Sequence, residues 1–294
     1  MAADSAHRSA AGVATLRYLS SWDDPVANPD RLSGRFLGGP MRAVAAVPPV
    51  RRTACRLVRR RFPGGIEYQA ARTKHIDQVL SEALARGLSQ LVILGVGYDT
   101  RPYRFRGELE GTRVFEVDQP GTLARRARLA ERRLPPVDSV RVAVDFDRED
   151  LGSRLRESGL RPGLATLFVW EGVTMFIEEE AVHRTLACVA ATGAGAEVVF
   201  DYVARSALER PAAHYGGAEA ARHFERTGEP WRFGVEPGEV AALLEPRGLA
   251  LRSHLGPAEL QTAYLADVGG ASDGRVPSFH GIVHAASAAE ARIS

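Results

Sequence analysis

Five short apolar runs in the sequence each end in a carboxylate, and the first is also followed by two glycines. A carboxylate accepts hydrogen bonds and attracts cations, whereas glycine lets the main chain approach a ligand closely. A single aspartate after a strand is usually a helix N-cap or a solvated acid. Five acids at equivalent positions indicate a ligand site instead. The residues are Gly95, Gly97 and Asp99 after QLVIL, Glu116 and Asp118 in RVFEVD, Asp145 after VRVAV, Glu171 after TLFVW, and Asp201 in AEVVFD.

The five runs predict strands that are buried on both faces, because they lack polar alternation. Helical patterns lie between them, as in the segment 67–87, where apolar residues recur at spacings of three and four before Gly87. This alternation is typical of an α/β fold with a mostly parallel, doubly wound sheet covered by helices. Such sheets bind ligands beyond the carboxyl ends of their strands, where the strand order reverses. The carboxylates fall at that edge.

Composition narrows the class of protein. The chain has 294 residues, 45% hydrophobic and 25% charged, and 38 basic residues nearly balance 36 acidic ones. We therefore expect one domain, residues 1–294, and no nucleic-acid partner. No signal peptide or long apolar run is evident, so the expectation is a cytoplasmic protein without a membrane partner. Cys55 and Cys188 lack metal-ligand spacing, which predicts free thiols and no metal site.

The run RRTACRLVRRRF, residues 51–62, is the one basic cluster in the sequence. It is either an electrostatic patch for an anionic partner or a solvated helix face with apolar residues tucked beneath. We expect the second.

The glycine pair allows two cofactor classes. A dinucleotide fingerprint needs a third glycine where this chain has Thr100, and Asp99 is expected to repel a pyrophosphate. An acidic loop favours S-adenosylmethionine, whose amino group and sulfonium are positive and whose ribose binds an acid at the end of the second strand. A nicotinamide-dependent oxidoreductase is the alternative on the same fold, and a methyltransferase-like scaffold without activity is a third possibility. The acids at every strand end argue against the scaffold.

The motifs LGVGYDTRPYRF, VFEVDQP, VDFD, WEGVTMFI and GEPWRFG together resemble the leucine carboxyl methyltransferase superfamily. The nearer likeness is to its bacterial branch, typified by the polyketide carboxyl O-methyltransferase of tetracenomycin biosynthesis. The resemblance implies a class I, Rossmann-like methyltransferase that carries a methyl group from S-adenosylmethionine to a small-molecule carboxylic acid in natural product biosynthesis. A hydroxyl or phenol acceptor is the alternative.

The resemblance also implies which residues hold the cofactor. One arginine matches the family residue that pairs with the methionine carboxylate of the cofactor. The two glycines and the acid after them match the family's cofactor loop. The later acids match the family residues that contact the ribose, the adenine and the amino acid end of the cofactor. Glu116 is a less favoured substitute for the ribose acid. The implied cofactor-binding residues are Arg72, Gly95, Gly97, Asp99, Asp118, Asp145, Phe146 and Glu171.

The acceptor site is predicted from a departure from the family motif and from the aromatic residues that follow the fifth strand. Thr174 stands in WEGVTMFI where the family has a larger side chain, so it is expected to alter the acceptor wall, and Tyr215 and Phe224 are expected to contact the substrate. A carboxylate acceptor is already ionised, so catalysis needs positioning and exclusion of water without a catalytic base. A phenol acceptor needs a base, for which the candidates are His183, His214 and His223.

The predicted organisation of the chain follows from these assignments. We expect an N-terminal helical lid over residues 1–66 and a cofactor-binding core over residues 67–203. A helical cap inserted after the fifth strand covers residues 204–234, and residues 235–294 complete the sheet.

Overall fold

The computed structural model describes residues 2–22, 26–265 and 274–288, without the side chains of residues 2–9. In this part of the chain, seven strands form one sheet with the order β3-β2-β1-β4-β5-β7-β6. The strands are β1 Gln90–Leu94, β2 Arg113–Asp118, β3 Ser139–Ala143, β4 Thr166–Trp170, β5 Ala196–Val203, β6 Leu249–Leu255 and β7 His280–Ser287.

Helices cover both faces of this sheet. The α-helices of the described residues are α1 Ala2–Ser20, α2 Gly39–Ala46, α3 Pro48–Arg61, α4 Gly65–Ala85, α5 Arg101–Arg104, α6 Pro120–Arg133, α7 Leu151–Glu157, α8 Glu179–Ala191, α9 Arg205–Glu209, α10 Gly217–Thr227, α11 Val240–Leu244 and α12 Pro257–Leu265. Five short 3-10 helices are Arg31–Phe36, Thr174–Phe176, Pro211–Ala213, Pro237–Glu239 and Glu245–Arg247.

The first five strands are parallel to one another, whereas β7 is antiparallel to β5 and β6. All five predicted strands are present, and the mostly parallel α/β fold is confirmed. The two antiparallel strands complete the sheet, and β7 inserts between β5 and β6.

Burial on both faces explains the unbroken apolar character of β1. Leu91 and Ile93 pack with α4 and α12, whereas Val92 and Leu94 pack with α7 and α8 on the opposite face. Because successive side chains of a strand point to opposite faces, both sets must be apolar. Among the described residues, no helix has the length and apolar character needed to cross a membrane.

The segments that precede α4 and that follow β5 can be compared with the predicted organisation of the chain. α4 begins after Gly64, whose φ of 79° suits glycine, and a Cβ there would lie 2.5 Å from the Arg275 carbonyl oxygen. The segment between β5 and β6 contains α9 and α10, so the region predicted as a cap is helical.

Candidate functional site

The strand order reverses between β1 and β4, which both lie at the centre of the sheet. The chain leaves β1 for β2 and β3 on one side, and then returns to place β4 on the other side of β1. The loops after these two strands therefore diverge and leave a crevice at the carboxyl edge of the sheet. Gly95 and Gly97 follow β1, and Glu171 follows β4.

The glycine pair has a backbone that other residues rarely adopt. Gly95 has a φ of 64° and Gly97 a φ of 44°. A Cβ at Gly95 would lie 2.3 Å from Cγ2 of Val173, and one at Gly97 would lie 3.3 Å from Cβ of Ala10 in α1. Glycine at both positions thus keeps the main chain open to a close ligand, with α1 lying over the loop.

Asp118 is tied to this loop at the end of β2. Its carboxylate accepts hydrogen bonds from the main-chain N–H of Gly97 at 2.8 Å and of Gln119 at 2.7 Å. Burial raises the pKa of Asp118, and the two main-chain N–H donors oppose that rise. Each carboxylate oxygen retains a lone pair for a further donor such as a ribose hydroxyl.

Glu116 has a different role. It forms a buried, bidentate ion pair with Arg126 of α6, at 3.0 Å and 2.8 Å. This pair joins α6 to β2, which leaves Asp118 as the acid that faces the loop.

Glu171 lies at the centre of a buried cluster of arginines. Its carboxylate contacts Arg17 of α1, Arg72 of α4 at 2.9 Å and Arg101 of α5 at 2.6 Å. Burial raises the pKa of Glu171, but the three guanidinium groups outweigh it and hold that pKa well below its usual value. Glu171 is therefore ionised in the folded protein.

Two of the three arginines still have unused donors. Nε of Arg17 and Nη2 of Arg101 are buried and have no hydrogen-bond partner, whereas Nε of Arg72 forms the ion pair with Glu171 at 2.9 Å. Unpaired buried guanidinium donors are costly unless a ligand satisfies them. A carboxylate is the complementary group, so the arginines suit the amino acid end of S-adenosylmethionine.

Asp201, at the end of β5, completes this cluster. Its carboxylate accepts hydrogen bonds from the Tyr68 hydroxyl at 2.9 Å, from Arg72 at 2.5 Å and from the main-chain N–H of Gly172 at 2.6 Å. The sequence marked Asp201 as a strand-end acid but gave it no role. Tyr68 carries no signal of its own in the sequence.

Thr174 is fully buried beside this aspartate. Its hydroxyl donates to the main-chain carbonyl of Asp201 at 2.6 Å, and so ties the loop after β4 to β5. The hydroxyl is thus already used within the protein, and an effect on the acceptor wall would act through the position of this loop.

Asp99 corrects one step of the sequence argument. Its carboxylate is paired with the side chain of Arg101 at 2.5 Å and accepts from the main-chain N–H of Arg101 at 2.7 Å. Because this charge is neutralised internally, Asp99 is not a free acid that repels a pyrophosphate. Thr100, in place of a third glycine, is buried and bonds Asp30 at 2.6 Å.

Asp145 and Phe146 lie beyond the end of β3. Asp145 is half-buried and accepts from the main-chain N–H of Asp147 at 3.1 Å. The ring of Phe146 packs into the core with α7 and α8, which leaves its main-chain N–H for a ligand. Arg184 of α8 donates to the Phe146 carbonyl at 3.1 Å and steadies this loop from behind.

An aromatic cluster joins the cap to the carboxyl ends of β4 and β5. Phe224 of α10 packs against Phe176 with ring centroids 5.0 Å apart and against Trp231 at 5.9 Å. Phe279 meets Trp231 at 5.2 Å. Tyr215 lies apart from this cluster, with the guanidinium of Arg275 4.1 Å from its ring centre.

The predicted base candidates are spread out. His183 lies on α8 beside Glu179, at 3.6 Å, whereas His214 and His223 contact aromatic rings of Phe279 and Phe62. None of these three has a recorded contact with the arginine cluster within the described residues.

A fourth histidine was missed by the sequence analysis. His280 begins β7 beside the end of β5, and its ring stacks on Tyr68 with centroids 3.8 Å apart. Burial and the nearby Arg72 hold the pKa of His280 well below its usual value, whereas a hydrogen bond to the main chain of Tyr202 opposes this. Its Nδ1 is buried without a partner.

Comparison with known proteins supplies the family. The model of the leucine carboxyl methyltransferase family matches residues 10–190. The chain belongs to this family. A Streptomyces coelicolor protein named as an S-adenosyl-L-methionine-dependent methyltransferase is 34% identical over 207 residues, covering 69% of this chain and 71% of that protein. Family membership and this relative confirm the predicted superfamily, the cofactor S-adenosylmethionine and the general class of S-adenosylmethionine-dependent methyltransferase.

Other matches agree with this placement. A Mycobacterium avium protein of the same description is 38% identical over 156 residues, covering 52% of this chain and 51% of its own length. The structure of a methyltransferase from Thermobifida fusca has a TM-score of 0.56 at 18% identity, and covers 88% of this chain and 94% of that chain. This likeness confirms that the chain has the class I, Rossmann-like methyltransferase fold.

Proposed function

We propose that this family member is an O-methyltransferase that transfers the methyl group of S-adenosylmethionine to a carboxylate oxygen of a small natural product. The observation that carries the proposal is the cluster around Glu171, where three buried arginines converge and two of them, Arg17 and Arg101, offer unpaired donors. When bound, S-adenosylmethionine supplies an electrophilic methyl group on a positive sulfonium.

The residues that would hold this cofactor lie along the carboxyl edge. Arg72 would pair with its carboxylate, Asp118 with the ribose hydroxyls, and Asp145 with adenine, together with the main chain of Phe146. Glu171 would attract the positive amino group while it keeps the arginines oriented. The ionised state of Glu171 supports this assignment, because a carboxylate anion attracts an ammonium group.

The acceptor would bind between the cofactor and the cap. The aromatic cluster of Phe176, Phe224, Trp231 and Phe279 provides an apolar wall that excludes water from the attacking oxygen. A carboxylate needs no proton removed before it attacks the methyl carbon. The chain therefore acts by orienting the two reactants and desolvating the nucleophile.

Calorimetric titration tests the cofactor site. We expect wild-type protein to bind S-adenosylmethionine, and Asp118→Ala to bind it at least tenfold more weakly, the order of one lost charged hydrogen bond. Gly95→Ala should also weaken binding, because a Cβ there would lie 2.3 Å from Cγ2 of Val173 and displace the loop. Asp138→Ala, a change at an exposed acid, is the matched control and keeps wild-type affinity. Equal binding by Asp118→Ala and Asp138→Ala would refute the site.

His280 favours a second candidate, methyl transfer to a hydroxyl or phenol. Burial and Arg72 lower the pKa of His280 and keep its ring neutral, and its buried, unpartnered Nδ1 is available as an acceptor when Nε2 carries the proton. Such a nitrogen can take the proton of a hydroxyl acceptor.

Product chemistry separates the two candidates. Aromatic carboxylic acids and phenols are incubated with methyl-labelled S-adenosylmethionine, and the products are treated with alkali. A methyl ester releases labelled methanol, whereas a phenol ether does not. For a carboxylate acceptor we expect His280→Gln to change the rate less than tenfold, whereas loss of a general base costs roughly a hundredfold or more.

A further inference from the structure

Helix α3 exposes apolar side chains that a solvated helix would bury. Leu57 is 58% exposed, and Val47 and Val50 are each 46% exposed. Val50 and Leu57 are two helical turns apart and therefore share one face. The opposite face packs against the protein through Cys55, which is buried. The expectation that the apolar residues of this segment lie beneath the basic face is thus wrong for Val50 and Leu57, which are exposed.

Arginines surround these exposed apolar residues. From Arg31 to Ile66 the sequence contains nine arginines and no acidic residue. Glu67 of α4 pairs with Arg59 at 2.7 Å. Arg52, Arg56 and Arg60 follow one another at spacings of four on the exposed part of α3, and within the described residues they have no recorded acidic partner.

An exposed aromatic ring extends the same face. Trp22 is 42% exposed, with the guanidinium of Arg31 4.4 Å and that of Arg51 5.6 Å from its ring centre. We define the basic apolar face as Trp22, Val47, Val50, Leu57, Arg52, Arg56 and Arg60.

Charge excludes a second copy of this chain as the occupant. Two such faces brought together would oppose their arginines without acids between them, which costs free energy. The required partner is anionic and offers an apolar layer to Val50 and Leu57.

We propose that the basic apolar face binds reversibly to an anionic lipid surface. Each exposed apolar residue lies within a helical turn of an arginine, whereas the core of a protein interface is depleted of charge. Arginine interleaved with Trp, Leu and Val is typical of helices that lie in the plane of a bilayer interface. The guanidinium groups bind lipid phosphates while the apolar side chains enter the acyl boundary.

Vesicle co-sedimentation of the full chain tests this proposal. We expect binding to vesicles of equal parts phosphatidylglycerol and phosphatidylcholine, weaker binding at high salt, and none to phosphatidylcholine alone. The variant R52E/R56E/R60E should bind about a hundredfold more weakly, because each basic residue near an anionic bilayer contributes roughly fivefold. The matched control R106E/R161E/R210E changes the net charge equally at other exposed arginines and should retain at least most of the binding.

The apolar contribution has its own pair of variants. Leu57→Asp should weaken vesicle binding, whereas Leu251→Asp, at a residue 41% exposed on β6, should not. All variants should keep wild-type affinity for S-adenosylmethionine, because none lies in the cofactor site, so failure here is distinct from failure of the proposed function.

Three results would overturn the proposal. The first is equal binding to charged and neutral vesicles. The second is equal loss in the two triple variants. The third is no vesicle binding together with binding to poly-L-glutamate that R52E/R56E/R60E abolishes, which would assign the face to an acidic protein.

Discussion

Strand-end carboxylates in this protein differ in function according to the arginines that reach them. Glu116 and Asp99 are each paired with a single buried arginine: Glu116 joins β2 to α6, and Asp99 holds Arg101 at the start of α5. Glu171 has three arginine partners whose donors are not all used. Asp118 accepts hydrogen bonds from two main-chain N–H groups, one on each oxygen, and so retains capacity for a ligand. Residue type alone does not separate these roles.

Removing the charge of Glu171 should destabilise the protein. Glu171→Gln leaves three buried arginines short of a counter-charge, and breaking a buried ion pair costs about 3–5 kcal/mol. We expect a loss of that order in the free energy of unfolding at neutral pH, measured by urea denaturation. Glu157→Gln, an exposed change on α7, should cost less than about 0.5 kcal/mol.

The same variant gives a pH test with a defined sign. The pKa of Glu171 is lower in the folded protein than its ordinary value of 4.5. The stabilisation is therefore fully present above that ordinary value and is lost as the pH falls through the depressed one. The difference between wild type and Glu171→Gln should shrink as the pH is lowered below about 4. A difference that stays constant with pH would contradict this assignment.

At the scale of elements, α1 covers the crevice between β1 and β4. Arg17 of α1 reaches Glu171, and Ala10 lies over Gly97. Tyr18 packs so closely on the 3-10 helix Arg31–Phe36 that a Cβ on Gly34 would lie 2.4 Å from its ring. The N-terminal segment predicted as a lid thus contributes a side chain to the cluster around Glu171, and its function as a lid remains a prediction.

Gly34→Ala should loosen α1. The added methyl group must displace the ring of Tyr18, and overpacking costs about 1–3 kcal/mol. We expect faster hydrogen exchange of the α1 main-chain N–H groups and weaker binding of S-adenosylmethionine, because Arg17 moves with the helix. Gly39→Ala is the control, since a Cβ there meets nothing within 4 Å. Unchanged exchange in Gly34→Ala would show that α1 is not held by this contact.

At the scale of the whole molecule, cofactor binding should be visible as stability. A ligand at a hundred times its dissociation constant adds about 2.7 kcal/mol, which raises the melting temperature by roughly 4 °C in a chain of this size. We expect S-adenosylmethionine to produce this shift and NADH to produce none. A shift with NADH alone would favour the oxidoreductase alternative.

The sequence by itself determined the fold class and the edge of the sheet that forms the site. Unbroken apolar runs specify strands buried on both faces, and glycine at positions 95 and 97 permits the positive φ that the loop adopts, so both signals are local. The cofactor class followed from the sequence motifs that contain these strands and glycines. The insertion of β7 between β5 and β6 was not readable, because it depends on pairing between distant segments.

Only the tertiary structure decided which acids remain available and which apolar residues are exposed. Arg17 reaches Glu171 across 154 positions of the chain, and His280 meets Tyr68 through sheet pairing that no local pattern encodes. The helical period of α3 gives the angle between Cys55 and Leu57, but not which of them faces the protein. Packing against α1 and α4 makes that choice, and it turns Leu57 and the arginines outward.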